Sequence, residues 1–85
     1  MKQNNPLHPG AFILRAYIDS RSLSMGELAF KLGVPPEYVY ILLHMKVDID
    51  ESWAIRLSEA LGRSPESWLL MQKNYDSFNS STNHS

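Results

Sequence analysis

The side chains best suited to chemistry in this chain stand close together, at Tyr38, Tyr40, His44 and Lys46, and they suit binding rather than bond-making. A tyrosine hydroxyl can bond a phosphate oxygen while its ring packs on a thymine methyl, and lysine adds a compact positive charge. Nothing else in the sequence points to catalysis. It holds no Ser, His and Asp arrangement and no carboxylate pair spaced for acid–base work, so no enzyme and no catalytic residue are expected. His8, His44 and His84 are far apart with no ligand spacing, and cysteine is absent. Thiolate metal sites and disulfides are thereby excluded, and neither a metal nor a cofactor is expected.

A binding patch of this kind needs a scaffold, and the adjoining residues spell one out. Leu28-Ala29 is followed by Leu32-Gly33-Val34, then by Pro35-Pro36-Glu37 leading into Tyr38 and Val39. This is the pattern of two helices joined by a tight turn with glycine at its bend, the helix-turn-helix that usually delivers its second helix to the DNA major groove. Gly33 ends the first helix by taking a left-handed conformation that other residues avoid. Ala29 is small where crossing helices approach, and Leu28, Leu32 and Val34 fill the angle between them.

Around this unit the spacing predicts three further helices and no strand. Residues 1–7 are polar, contain Pro6, and read as a flexible arm. Helix one starts at Pro9, with Ile13, Leu14, Tyr17 and Ile18 as its buried stripe. Helix two is capped by Ser24, which with Glu27 makes a capping box, and runs to about Leu32. Helix three spans about Pro36 to His44, with Val39, Leu42 and Leu43 inward; His44 ends it near the negative pole of the helix dipole. Asp50 caps helix four, whose Trp53, Ala54, Leu57, Ala60 and Leu61 follow a core-facing pattern, and Gly62 closes it. Arg56 lies beside these core positions and is placed to pair with Glu27. Ser64 caps the last helix, with Pro65 at its first position and Trp68, Leu69, Gln72 and Tyr75 along one face. Both tryptophans read as core anchors. From Ser77 the chain is Ser- and Asn-rich, so residues 77–85 are expected to form a disordered tail.

Eighty-five residues allow one domain, and 44% apolar content with two Trp, four Tyr and three Phe supplies its core. A chain this short buries only about 60% of its unfolded surface, so dimerisation would add burial it lacks. The last helix offers the surface: Trp68, Leu69, Leu70 and Met71, with Tyr75 beyond them, carry more apolar area than one face can use, and a homodimer through them is expected. No apolar run of signal-peptide or membrane length lies near the N-terminus, which makes a cytoplasmic protein without membrane attachment the expectation.

From about Asn5 to Asp76 the chain resembles the HigA family of antitoxins, which are small lambda-repressor-like helix-turn-helix proteins. His8-Pro9-Gly10 with Ile13-Leu14-Arg15 carries the first part of the match, and the Leu28 to Pro35 unit the second. The third runs through Ala54, Arg56-Leu57, Ala60-Leu61-Gly62, Ser64-Pro65-Glu66, Trp68-Leu69 and Gln72 to Tyr75-Asp76. The resemblance implies an all-α, five-helix lambda-repressor-like domain over residues 8–76. It also implies a homodimer that neutralises a HigB-like RNase toxin by binding it and represses its own operon through operator DNA. By position, the DNA-contacting residues would be Met25, Pro36, Glu37, Tyr38, Tyr40, Ile41, His44 and Lys46.

Several of those positions depart from the family's pattern. Met25 replaces a glutamine that reaches phosphate, Pro36, Glu37 and Tyr38 supply no basic side chain, and Met45-Lys46-Val47 replaces Gly-Lys-Arg. Between Ser24 and Glu51, Lys31 and Lys46 face Glu27, Glu37, Asp48, Asp50 and Glu51, a balance of −3, against −1 for the whole chain. Phosphate neutralisation dominates nonspecific DNA affinity, so basic residues elsewhere (Lys2, Arg15, Arg21, Arg56 or Arg63) would have to help. Tyr38, Tyr40 and Ile41 suit a second use equally well, as an exposed aromatic and aliphatic patch for protein contact. Two readings therefore stand: a DNA-binding antitoxin, and a protein-interaction module on the same fold that has lost DNA binding.

Overall fold

The structure, a computed structural model, describes residues 6–82. Five helices and no strand occur among them. Helix α1 (Pro9–Ile13) continues without a break as a π-helical stretch, Leu14–Ile18, in which the Asp19 amide reaches back five residues to the Leu14 carbonyl at 2.7 Å. Then come α2 (Met25–Leu32), α3 (Pro36–Leu43), α4 (Glu51–Leu61) and α5 (Pro65–Thr82).

Local signals set most of these boundaries. Ser24 Oγ accepts the Glu27 amide at 3.1 Å while the Glu27 carboxylate accepts the Ser24 amide at 2.8 Å, a complete capping box. Gly33, at φ 70°, closes α2, with the Val34 and Gly33 amides donating to the Ala29 and Phe30 carbonyls. Asp50 Oδ1 caps α4 at the Trp53 amide, and Ser64 Oγ caps α5 at the Ser67 amide. Helix α3 ends in the same hydrogen-bond pattern as α2, with Lys46 N donating to Ile41 O and Met45 N to Leu42 O. Here the left-handed residue is Met45, at φ 58°, where an L side chain is strained.

The core gathers Ile13 from α1, Leu28, Ala29 and Leu32 from α2, Val39, Leu42 and Leu43 from α3, Ile49 from the following loop, Ala54 and Leu57 from α4, and Trp68 from α5. Gly10 lies where α1 crosses α3, and a Cβ there would run into the Leu42 carbonyl oxygen. That close approach explains glycine so near the start of a helix. Trp68 is wholly buried, its Nε1 donating to the Gly62 carbonyl at 3.0 Å and its ring edge-on to Phe12.

Some expectations need correction. The stripe on helix one is only partly sealed: Ile13 is buried, while Leu14, Tyr17 and Ile18 are half-buried in or beside the π turn. Trp53 is half-buried rather than a full core anchor. Helix α5 does not stop at Asp76 but runs to Thr82, with Phe78 half-buried, so residues 77–82 are helical and not a loose tail. Residues 83–85, and residues 1–5 of the expected arm, lie outside the described residues; Pro6 and Leu7 are half-buried. Arg56 does not pair with Glu27, whose carboxylate is held in the capping box; its Nη1 donates to the Leu32 carbonyl at 2.8 Å and so helps close α2.

Candidate nucleic-acid interface

Helix α3 is the second helix of the helix-turn-helix, and its periodicity sorts its residues. Val39, Leu42 and Leu43 face the core; Pro36, Glu37, Tyr38 and Tyr40 are exposed, and Ile41 is half-buried. Pro35 precedes the helix in an extended conformation and Pro36 takes its first position, which costs nothing because that amide has no partner within the helix.

Tyr40 and His44 form one unit. Their rings stack at 3.9 Å between centroids with 7° between planes, as residues four apart on a helix permit. His44 Nδ1 lies 3.0 Å from the Tyr40 carbonyl, which can only accept, so Nδ1 carries the proton. Nε2 is then the ring nitrogen left for an outside partner. His44 thus sits as expected at the end of α3, on its last carbonyls.

Tyr38 belongs to a different surface. With Val34, Ser52, Trp53 and Arg56 it lines a shallow depression of about 190 Å³ between the start of α3 and α4. Residues two apart on a helix do not face each other, so the continuous Tyr38–Tyr40–Ile41 patch inferred from sequence is divided between two sides. Lys46 is exposed just beyond Met45, and Met25 is exposed at the first position of α2. Six of the eight residues assigned to DNA contact, Pro36, Glu37, Tyr38, Tyr40, His44 and Lys46, are therefore exposed on or just after α3. Met25 is exposed on α2, Tyr38 also lines the depression against α4, and Ile41 is half-buried.

The structure also shows which basic residues are already engaged. Arg56 serves the end of α2, and the Arg63 guanidinium lies 5.1 Å from the Phe12 ring centroid and 5.5 Å from that of Trp68, with Nε on Ser67 Oγ. Of the helpers named from sequence, Arg15, Arg21, Arg56 and Arg63 are all exposed, the last two while making these contacts, and Lys2 lies outside the described residues.

The segment that carries Lys46 is held from beneath. His8 is buried, accepts the Gly10 amide at Nδ1 (2.9 Å) and donates from Nε2 to the Val47 carbonyl (3.0 Å). Gln72, also buried, accepts the Ile49 amide at Oε1 (2.8 Å) and donates to Asp76 Oδ1 (3.0 Å). Tyr75 packs edge-on against His8 at 5.1 Å. Burial depresses the His8 pKa below its ordinary value, against smaller opposing effects from the Val47 carbonyl and the charges of Asp48 and Asp76.

On α5 the five residues expected at a dimer interface separate. Trp68 is fully buried within its own subunit and has no surface to offer, and Tyr75 is half-buried against His8. Leu69 and Met71 are half-buried against the core, and Leu70 is 55% exposed. Sequence reasoning passed over Phe30, 88% exposed on α2. The signal was there: Phe30 stands two positions from both Leu28 and Leu32, opposite the buried stripe. No helix among the described residues is long and apolar enough to cross a membrane, and no three His, Asp or Glu side chains among them gather as a metal site requires.

No protein-family model matches the chain. It is 33% identical over 70 residues to virulence-associated protein I of Dichelobacter nodosus, spanning 82% of this chain and 65% of that protein's length. It is also 33% identical over 72 residues to YddM, a helix-turn-helix-type transcriptional regulator of Escherichia coli K12, covering 85% of this chain and 76% of the relative. Among solved structures, a HigA-family addiction module antidote protein from Coxiella burnetii superimposes with a TM-score of 0.83 at 29% identity over 94% of this chain and 87% of its own. The antitoxin GraA matches at 0.81 and 32% identity over 96% and 88%. PA4674 of Pseudomonas aeruginosa, solved in complex with its 18-bp operator DNA, matches at 0.79 and 27% over 94% and 86%.

Proposed function

This chain belongs to the HigA family of helix-turn-helix antitoxins, and from that premise we propose that it binds operator DNA through α3 and a HigB-like RNase toxin through protein contact. One observation carries the DNA half of this reading. The α2–turn–α3 unit keeps the fold of a relative solved on its operator, and it turns Glu37, the Tyr40–His44 stack and Lys46 outward together. As a homodimer, using Leu70 with Leu69 and Met71 as its apolar contact, the protein would place two copies of α3 in successive major grooves about 34 Å apart. Self-repression would follow from such an operator lying upstream of its own gene.

The contact would be electrostatically thin. Each neutralised phosphate contributes about −0.9 to the slope of log affinity against log salt, so a surface with Lys46 as its main phosphate partner should show a shallow slope. The deciding experiment is a gel shift of purified protein with its own upstream DNA at about 50 and about 200 mM salt. A shift that weakens gently with salt, and more gently still in Lys46→Ala, supports operator binding. The net −3 balance of residues 24–51 favours the second reading, a module for protein contact alone. Absence of any shift at the lower salt would establish that one. Co-purification with the product of a neighbouring toxin-like reading frame tests the toxin half.

A further inference from the structure

We propose that His8 and Gln72 are positioning residues for DNA contact, reaching from the start of α1 and from α5 to fix the backbone at Val47 and Ile49 and so the placement of Lys46. The inference rests on the operator-binding reading above. Its physical content is a buried polar clamp whose hydrogen bonds to the α3–α4 connection go to main-chain atoms.

The segment from Met45 to Asp50 has no repeating secondary structure to stiffen it. Its two ends are held locally, by the Lys46 N to Ile41 O bond at 2.8 Å and by the Asp50 cap on Trp53. Between them only distant residues act. His8 Nε2 holds the Val47 carbonyl from 39 positions away, and Gln72 Oε1 holds the Ile49 amide from 23 positions away. Both side chains are oriented in turn: His8 by the Gly10 amide and the Tyr75 ring, Gln72 by Asp76. Ile49 is 5% exposed and anchors the segment in the core, while Lys46 and Asp48 on the same segment are exposed. With the carbonyl of 47 and the amide of 49 both held, the backbone on either side of Asp48 is restrained, and the exposed Lys46 leaves the chain one residue before the first of these contacts.

An apolar side chain at either place would fill the same space but leave the Val47 carbonyl or the Ile49 amide without its partner, so these residues hold the segment's backbone as well as filling the core. Polar groups aimed at one loop's backbone instead impose a single geometry on it. That matters most where a lone lysine must meet a phosphate without the loop first being ordered, because ordering on binding subtracts from affinity.

The test is a double-mutant cycle on operator affinity, measured by fluorescence anisotropy at low salt with folding checked by thermal melts. Gln72→Met keeps the bulk and removes the clamp's hold on the Ile49 amide. It should weaken binding about fivefold or more, and Lys46→Ala should then cost much less in the Gln72→Met protein than in the wild type. Costs that simply multiply would overturn the inference while leaving operator binding intact. Failure of the wild type to bind at all would instead remove the operator reading and the inference with it. Should Gln72→Met not fold, Asp76→Ala against Asp76→Asn carries the test. Both lose the same charge, but only Asn keeps an oxygen acceptor for Gln72 Nε2, so Asp76→Ala should bind more weakly than Asp76→Asn. Equal affinities would refute the clamp.

Discussion

Met45 is where backbone strain can be weighed against packing. It is the left-handed residue that ends α3, at φ 58°, and its amide donates to the Leu42 carbonyl. An L side chain there costs about 1–2 kcal/mol. Glycine escapes that strain but gives up about 0.5–1 kcal/mol more chain entropy on folding. The backbone difference alone therefore favours glycine by roughly 0.5–1 kcal/mol. Met45 is also 47% exposed, so replacing it forfeits about half the burial of a methionine side chain, roughly 1 kcal/mol. Met45→Gly should thus be close to neutral. Met45→Ala loses the same packing and keeps the strain.

The decisive comparison is between those two variants. Met45→Gly should be more stable than Met45→Ala by about 0.5–1 kcal/mol, the reverse of a helix interior, where alanine wins by about 1 kcal/mol. In a domain of this size that separates the thermal midpoints by about 2–8 °C. Urea and thermal unfolding followed by far-UV circular dichroism would resolve it. If the alanine variant proved equal or better, the left-handed strain assigned to Met45 would be wrong, and the end of α3 would have to rest on its side-chain packing.

Three further outcomes follow from individual contacts. Gly10→Ala should cost about 3 kcal/mol or more, because the new methyl meets the Leu42 carbonyl of a packed neighbouring helix; a wild-type melting temperature would mean that α1 and α3 lie further apart. Ser64→Ala should cost about 1 kcal/mol by leaving the Ser67 amide uncapped, as read by urea unfolding. His8 has a folded pKa below its unfolded value, so the stability it contributes is full above about pH 6.5 and is lost as pH falls below that, at up to about 1.4 kcal/mol per pH unit. Unfolding free energies between pH 8 and pH 5 should show this slope in the wild type and a flatter one in His8→Asn, which retains an acceptor for the Gly10 amide; equal slopes would place the titration elsewhere.

What the sequence made legible is what lies within one helical turn. The Ser24–Glu27 box, the Gly33 bend, the Asp50 cap and the Ser64-Pro65 start each depend on residues three or four apart, and the structure realises all of them. Assignments that depend on which neighbour covers a face were less secure. An apolar stripe on α5 says that something is buried, but not whether by its own subunit or by a second one, and Trp68 is covered by its own. Ser and Asn after Asp76 suggested a tail because composition does not register a helix continued past its body. The His8 and Gln72 contacts span 39 and 23 residues and join side chain to backbone, so no local pattern announces them.

The fate of the arginines then bears on how such a protein could hold DNA. Arg56 closes α2 and Arg63 packs over Phe12 and Trp68, so two of the cations available to offset the acidic helix-turn-helix, though exposed, are already held in contacts within the fold. On the proposed reading each subunit brings α3 to the groove with Lys46 and little other positive charge beside it. A single subunit would therefore bind weakly. Two weak contacts joined in a rigid dimer behave differently, because the second occurs at high effective concentration once the first has formed, and affinity gains several orders of magnitude without new contacts. Operator binding through so few charges thus depends on the dimer and on each α3 arriving already in place. The exposed Leu70 face and the buried His8–Gln72 clamp are the features of this chain suited to those two requirements.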